Sequence, residues 1–66
     1  MSQTPANDRT LRGSILLVDD DSRMRSLRTI TLSTHGYQVH SVGNAADAHL
    51  HWEATRPDLV LLAWSR

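Results

Sequence analysis

The stretch SILLVDDDSRMR, residues 14–25, runs from four consecutive apolar residues into three aspartates. A short apolar run that is bounded by turn-forming residues is typical of a strand buried on both faces of a parallel sheet. Ser22 is the predicted N-cap of a following helix, and the aspartates lie at or just before its start, where the helix dipole favours negative charge. The stretch therefore predicts a buried strand that passes directly into a helix.

The residues that follow show helical spacing. One stripe of a helix is indicated by residues at helical spacing, namely Met24, Leu27 and Thr31 with Leu32, and Ile30 lies off that stripe. Gly36 is typical of the position just after a helix end. A first helix is therefore predicted over residues 22–35.

Two further strands and one further helix are predicted from the rest of the chain. Residues 37–42 include polar side chains and predict a weak strand at a sheet edge. Asn44 and Asp47 resemble a capping box with a shortened acid, which predicts a helix over residues 45–55. Residues 59–64, LVLLAW, form the most apolar run and predict a third strand that is buried on both faces.

The order β-α-β-α-β predicts an α/β fold with a parallel sheet and right-handed crossovers. Because the weak second strand suits an edge, the first strand lies in the middle and the predicted strand order is 2-1-3. Ligands of such sheets lie outside the carboxyl ends of the strands, where the strand order reverses. Asp19 and Asp20 end the first strand, and Ala63 and Trp64 end the third. These four residues mark the predicted site.

Composition limits the classes of function. The chain has 66 residues, no cysteine and a formal net charge of zero. This size allows one small domain, predicted over residues 14–66 after a flexible leader at residues 1–13. The balanced charge predicts no nucleic-acid partner and no membrane partner. No apolar run approaches the roughly 20 residues that span a bilayer, and no secretory signal is present, so a cytoplasmic location is expected.

The aspartates at the strand end have three interpretations. Adjacent carboxylates repel one another, and a hard cation such as Mg²⁺ relieves the repulsion. In a second role, the aspartates bind a metal while a neighbouring carboxylate accepts a phosphoryl group, since nucleophilic aspartates form acyl phosphates. In the third interpretation, Asp20 and Asp21 only stabilise the helix start. Periodicity alone leaves all three open.

From Ile15 to Trp64 the chain resembles the first half of a response regulator receiver domain, the phosphorylated module of two-component signalling. The resemblance rests on ILLVDDDSRMR, HGYQV and RPDLVLLAW and on the spacing between them. It implies a flavodoxin-like fold and a role in phosphorelay signal transduction rather than catalysis. It also implies that Asp19 and Asp20 hold Mg²⁺, with Asp20 ligating directly and Asp19 acting mostly through water. Asp21 and Trp64 would flank this site, and a histidine kinase or phosphotransfer protein would be the partner.

Position 63 departs from the family pattern. After DLVLL the family has the aspartate that accepts the phosphoryl group, whereas this sequence has Ala63. A methyl group can neither attack phosphorus nor ligate a metal, so any Mg²⁺ binding is expected to be weak. The family's later strands, with a hydroxyl residue and a lysine, are also missing, and the chain has no lysine. We therefore expect a truncated, non-phosphorylatable module whose open third strand favours self-association.

Two other functions remain open. A fragment of a Mg²⁺-dependent phosphoryl-transfer enzyme would use Asp19 and Asp21 as nucleophile and acid, but HGYQV and RPDLVLL would then be unexplained. A protein-interaction remnant that acts without phosphorylation is the other alternative. The arginines of the first helix are interpreted as solvated surface; they are Arg23, Arg25 and Arg28.

Overall fold

A computed structural model describes residues 12–63. The elements are β1 (Ser14–Asp19), α1 (Ser22–Thr34), β2 (Gln38–Val42), α2 (Ala45–Thr55) and β3 (Leu59–Ala63). The strands form one parallel sheet of order β2-β1-β3, which confirms the predicted order 2-1-3 and matches the corresponding part of a flavodoxin-like fold. Most of the predicted leader and Trp64 lie outside the described residues. In the described part of the chain, neither helix is long and apolar enough to cross a membrane.

The core is β1. Ile15, Leu16, Leu17 and Val18 are between 0% and 3% exposed, because β1 has a strand on each side and a helix on each face. Fully burying a side chain of this kind contributes about 1.5–3 kcal/mol. The prediction that this strand is buried on both faces is confirmed.

The alternation of side chains along a strand decides which residues face which helix. Leu61 lines a cavity with α1, whereas Val18 and Leu62 line a cavity with α2. Odd-numbered residues of β1 and β3 therefore lie on the α1 side of the sheet. Asp19 and Ala63 both belong to that side.

β3 is more exposed than predicted. Leu59 is 50% exposed, Val60 41% and Leu62 63%. The prediction that this strand is buried on both faces is wrong, because β3 lies at an edge of the sheet and the helices pack mainly against β1 and β2. Among the described strands, none pairs with the outer side of β3.

The helix α1 begins at Ser22, within the predicted bounds, but its N-cap lies one residue earlier than predicted. Asp21 is the N-cap: its Oδ1 accepts hydrogen bonds from the backbone N–H groups of Arg23, at 3.0 Å, and Met24, at 3.2 Å. The prediction of Ser22 as the N-cap is wrong, since Ser22 is already the first helical residue. A carboxylate at the cap gains from the helix dipole as well as from the hydrogen bonds.

The end of α1 is marked by glycine. The helix ends at Thr34, and Gly36 follows with a φ of 95°, a conformation that glycine adopts without steric cost. Leu27, predicted to lie on the buried stripe, is 53% exposed. It lines the cavity over Leu61, and in the described residues no further element lies beyond β3 to cover it.

At the end of the sheet opposite the aspartates, Asp58 connects β3 to β1. Asp58 Oδ2 accepts hydrogen bonds from Ser14 N, at 2.8 Å, and Ser14 Oγ, at 3.3 Å. In return, Asp58 N donates to Ser14 O at 3.0 Å and to Ser14 Oγ at 3.1 Å. These contacts join the start of β1 to the residue before β3, in the register that pairs Asp19 with Ala63.

Candidate functional site

The candidate site lies at the carboxyl ends of β1 and β3. Asp19 and Ala63 are partners in the parallel register of these two strands. Neighbouring strands lie about 4.8 Å apart, and both residues are on the α1 side of the sheet. The structure therefore brings the first aspartate and residue 63 together, as the strand order predicted.

Asp19 is buried and fully engaged. It is 1% exposed, and its Oδ1 accepts a hydrogen bond from the backbone N–H of Asp21 at 3.0 Å. Its Oδ2 accepts a hydrogen bond from Arg28 Nε at 3.0 Å, which is also an ion pair. Hydrogen bonds in which both groups are charged are the stronger ones in proteins. Both carboxylate oxygens of Asp19 therefore have partners from within the chain.

A second arginine of α1 reaches the end of β1. Arg25 Nη1 donates to the backbone carbonyl of Asp19 at 2.9 Å. The same nitrogen lies 2.6 Å from the point that a Cβ on Gly43 would occupy, so the residue after β2 leaves room for the guanidinium. Arg25 thus connects the end of β1 to the loop after β2.

The prediction that the arginines of α1 form a solvated surface is wrong for Arg25, which is half-buried, and incomplete for Arg28, which is exposed but forms an ion pair with Asp19. Arg25 and Arg28 are three residues apart, so they share one helix face, and that face meets the end of β1. Arg23 lies on the exposed surface, as predicted. In the sequence, an arginine pair at helical spacing follows the aspartate that ends the first predicted strand, but this spacing alone does not show that the arginines reach it.

The other predicted site residues are more exposed. Asp20 follows β1 directly and is exposed, and Asp21 is half-buried at the N-cap of α1. Trp64, predicted to flank the site, lies outside the described residues. Over residues 12–63, no cluster of three or more histidine, cysteine, aspartate or glutamate side chains is placed to hold a metal ion.

Carboxylate oxygens are the ligands that Mg²⁺ prefers, and one or two carboxylates commonly suffice when waters complete the shell. Asp20 offers a carboxylate at the surface, and Asp19 offers one whose oxygens already accept hydrogen bonds. Ala63 adds no ligand. These residues fit a weak Mg²⁺ site and no more.

Comparison with known proteins finds response regulators. The chain is 40% identical over 53 residues to the DNA-binding response regulator MtrA of Mycobacterium tuberculosis, a match that covers 80% of this chain and 23% of that protein. It is 35% identical over 51 residues to the phosphate regulon transcriptional regulatory protein PhoB of Pseudomonas aeruginosa, covering 77% and 22%. It is 44% identical over 48 residues to the uncharacterized transcriptional regulatory protein YvcP of Bacillus subtilis, covering 73% and 20%.

The chain thus spans less than a quarter of the length of these curated relatives. No family model and no solved structure matches it. The similarity covers most of this chain and supports a response-regulator domain of the two-component type, in agreement with the fold.

Proposed function

We propose that this chain is a receiver-like module of a phosphorelay response regulator that accepts no phosphoryl group at residue 63. The similarity to named response regulators supports the class. The proposed loss of phosphorylation is supported by the pairing of Ala63 with Asp19, because a methyl group then occupies the position next to the buried carboxylate. In this proposal the module works in cytoplasmic signal transduction and catalyses no reaction of its own.

Asp19 and Asp20 hold Mg²⁺ weakly in this proposal. Asp20 binds the cation directly and Asp19 acts mostly through water, as the resemblance to receiver domains implies, and the two residues follow one another at the end of β1. When bound, the cation neutralises the carboxylates and can accept phosphate oxygens. Binding is weak because residue 63 supplies no third negative charge.

Titration of the protein with Mg²⁺ by isothermal calorimetry tests this proposal. We expect Ala63→Asp to bind Mg²⁺ about tenfold more tightly than the wild type, since a third carboxylate contributes on the order of 1.4 kcal/mol at a partly solvated site. Leu62→Asp is the matched control, because it adds the same charge on the same strand but on the α2 side of the sheet. Equal, tight binding by the wild type and Ala63→Asp would place residue 63 outside the site.

The same proteins can be incubated with acetyl phosphate and Mg²⁺ and examined by intact mass spectrometry. The wild type should gain no aspartyl phosphate. An acyl-phosphate adduct on Asp19, Asp20 or Asp21 of the wild type would contradict the proposed loss of phosphorylation.

A second candidate function, protein interaction without phosphorylation, is favoured by the exposed apolar residues. Leu27 is 53% exposed and Ile30 62%, so α1 offers a surface on which a histidine kinase or phosphotransfer protein would dock. Leu59, at 50%, and Leu62, at 63%, offer a second surface on β3 for self-association. The alternative of a phosphoryl-transfer enzyme gains no support, because Asp21, its required acid, caps α1.

A further inference from the structure

We propose that the guanidinium group of Arg28 is a built-in counter-cation of the acidic site, one that competes with Mg²⁺ for Asp19. This inference rests on the proposed function, because it concerns the same site. It adds that, when no metal is bound, the positive charge of Arg28 balances the negative charge of Asp19.

The burial of Asp19 makes a counter-charge necessary. A carboxylate that is 1% exposed has lost its water, and an ionised group in that position is costly unless it is paired and hydrogen-bonded. The backbone N–H of Asp21 supplies a hydrogen bond but no net charge. Within residues 12–63, Arg28 is the residue that forms an ion pair with Asp19.

The position of Arg28 conflicts with a metal ion. Its Nε lies 3.0 Å from Asp19 Oδ2, so a cation held at Asp19, directly or through water, would lie close to the guanidinium. The guanidinium already neutralises the carboxylate of Asp19, so less negative charge is left there to attract Mg²⁺. The positive charges of the guanidinium and of Mg²⁺ would also repel one another.

The side chain of Arg28 can move away from Asp19. This side chain is 44% exposed, so the guanidinium can move into solvent when a metal binds. Arg25 would remain, because it holds the backbone carbonyl of Asp19 rather than the carboxylate and lies against Gly43. The relation between Arg28 and Mg²⁺ is therefore competition rather than permanent exclusion.

Calorimetric Mg²⁺ titration of Arg28→Leu tests the inference, with Arg23→Leu as the matched control. Both variants remove one arginine from α1 and change the net charge equally, but Arg23 is an exposed residue whose side chain is not bonded to Asp19. We expect Arg28→Leu to bind Mg²⁺ about tenfold more tightly than Arg23→Leu, the low end of what a hydrogen bond to a charged group contributes.

Thermal unfolding gives a second readout. Without metal, Arg28→Leu should melt at a lower temperature than Arg23→Leu because Asp19 has lost its counter-charge, and added Mg²⁺ should restore part of the difference. If Arg28→Leu does not fold, Arg28→Gln serves instead, since glutamine keeps an N–H donor without the charge. The same comparison with Arg23→Leu then applies.

The failure of this inference and the failure of the proposed function look different. If neither Arg28 variant binds Mg²⁺ more tightly than Arg23→Leu while Ala63→Asp still gains affinity, the counter-cation role is refuted and the acidic site stands. If Ala63→Asp gains no affinity either, the acidic site itself is refuted. Tighter binding by the Arg28 variants supports both.

Discussion

The side chain of Asp58 is predicted to hold β3 in register, and its removal should be measurable. Asp58 Oδ2 accepts two hydrogen bonds from Ser14, at 2.8 and 3.3 Å. Each such bond contributes about 0.5–1.5 kcal/mol net, and Asp58 is exposed, so Asp58→Ala should lower the free energy of unfolding by about 1–2 kcal/mol. The backbone hydrogen bond from Asp58 N to Ser14 O, at 3.0 Å, remains possible in this variant.

Urea unfolding followed by far-ultraviolet circular dichroism measures the loss. Asp58→Asn is the matched control, because its amide oxygen can still accept from Ser14 and should recover at least half of the difference. Measurements at two protein concentrations separate this effect from self-association through β3. Surface substitutions usually change the free energy of unfolding by no more than about 0.5 kcal/mol. A value for Asp58→Ala within about 0.3 kcal/mol of the wild type would therefore refute the role of Asp58.

The register also connects Asp58 to the site. A slip of one residue would move every side chain of β3 to the other face of the sheet. Ala63 would then no longer lie beside Asp19 on the α1 side. The Mg²⁺ affinity gained by Ala63→Asp should therefore fall when Asp58→Ala is added. A full gain in the double variant would show that the backbone alone sets the register.

Three further changes test the core, the cap and the open edge. Leu17→Ala should lower the free energy of unfolding by about 3 kcal/mol, because Leu17 is 0% exposed, and urea unfolding followed by far-ultraviolet circular dichroism measures the loss. Asp21→Ala should cost about 1 kcal/mol in urea unfolding through the lost N-cap, whereas Ser22→Ala should cost less than half of that. Leu62→Lys should reduce self-association in light scattering more than Ser33→Lys on α1, since Leu62 is 63% exposed on β3; equal behaviour of the two lysine variants would exclude β3 as the interface.

The sequence predicted the sheet because the decisive information is local. The apolar run of β1 has no polar face, so it must be covered on both sides, whereas residues 38–42 of β2 include polar side chains that suit an edge. The same reasoning failed for β3. An apolar run shows what a strand can bury, but its exposure depends on its neighbours, and β3 has a described strand on one side only.

The wrong prediction of the N-cap of α1 has a different cause. Asp21 and Ser22 are both good N-cap residues and lie next to each other, so the sequence offers two helix starts of similar free energy. The structure places the carboxylate at the cap, where it accepts two backbone hydrogen bonds. A difference of one residue at a helix end lies below what local propensity can decide.

The ion pair between Arg28 and Asp19 was not predictable in the same way, since it depends on the rotation of α1 and on the reach of a long side chain across nine residues. The ion pair nevertheless connects two features of the sequence, the alanine at residue 63 and the arginine at residue 28. With a methyl group at residue 63, the buried part of the site carries the single negative charge of Asp19, and one guanidinium neutralises it. An aspartate at residue 63 would place a second carboxylate beside Asp19, and Arg28 alone could not balance both. A divalent cation would then be the favourable counter-charge. The proposed loss of the phosphoacceptor and the proposed weak binding of Mg²⁺ therefore have one origin, since the methyl group at residue 63 leaves Asp19 as the one buried negative charge at the end of β1.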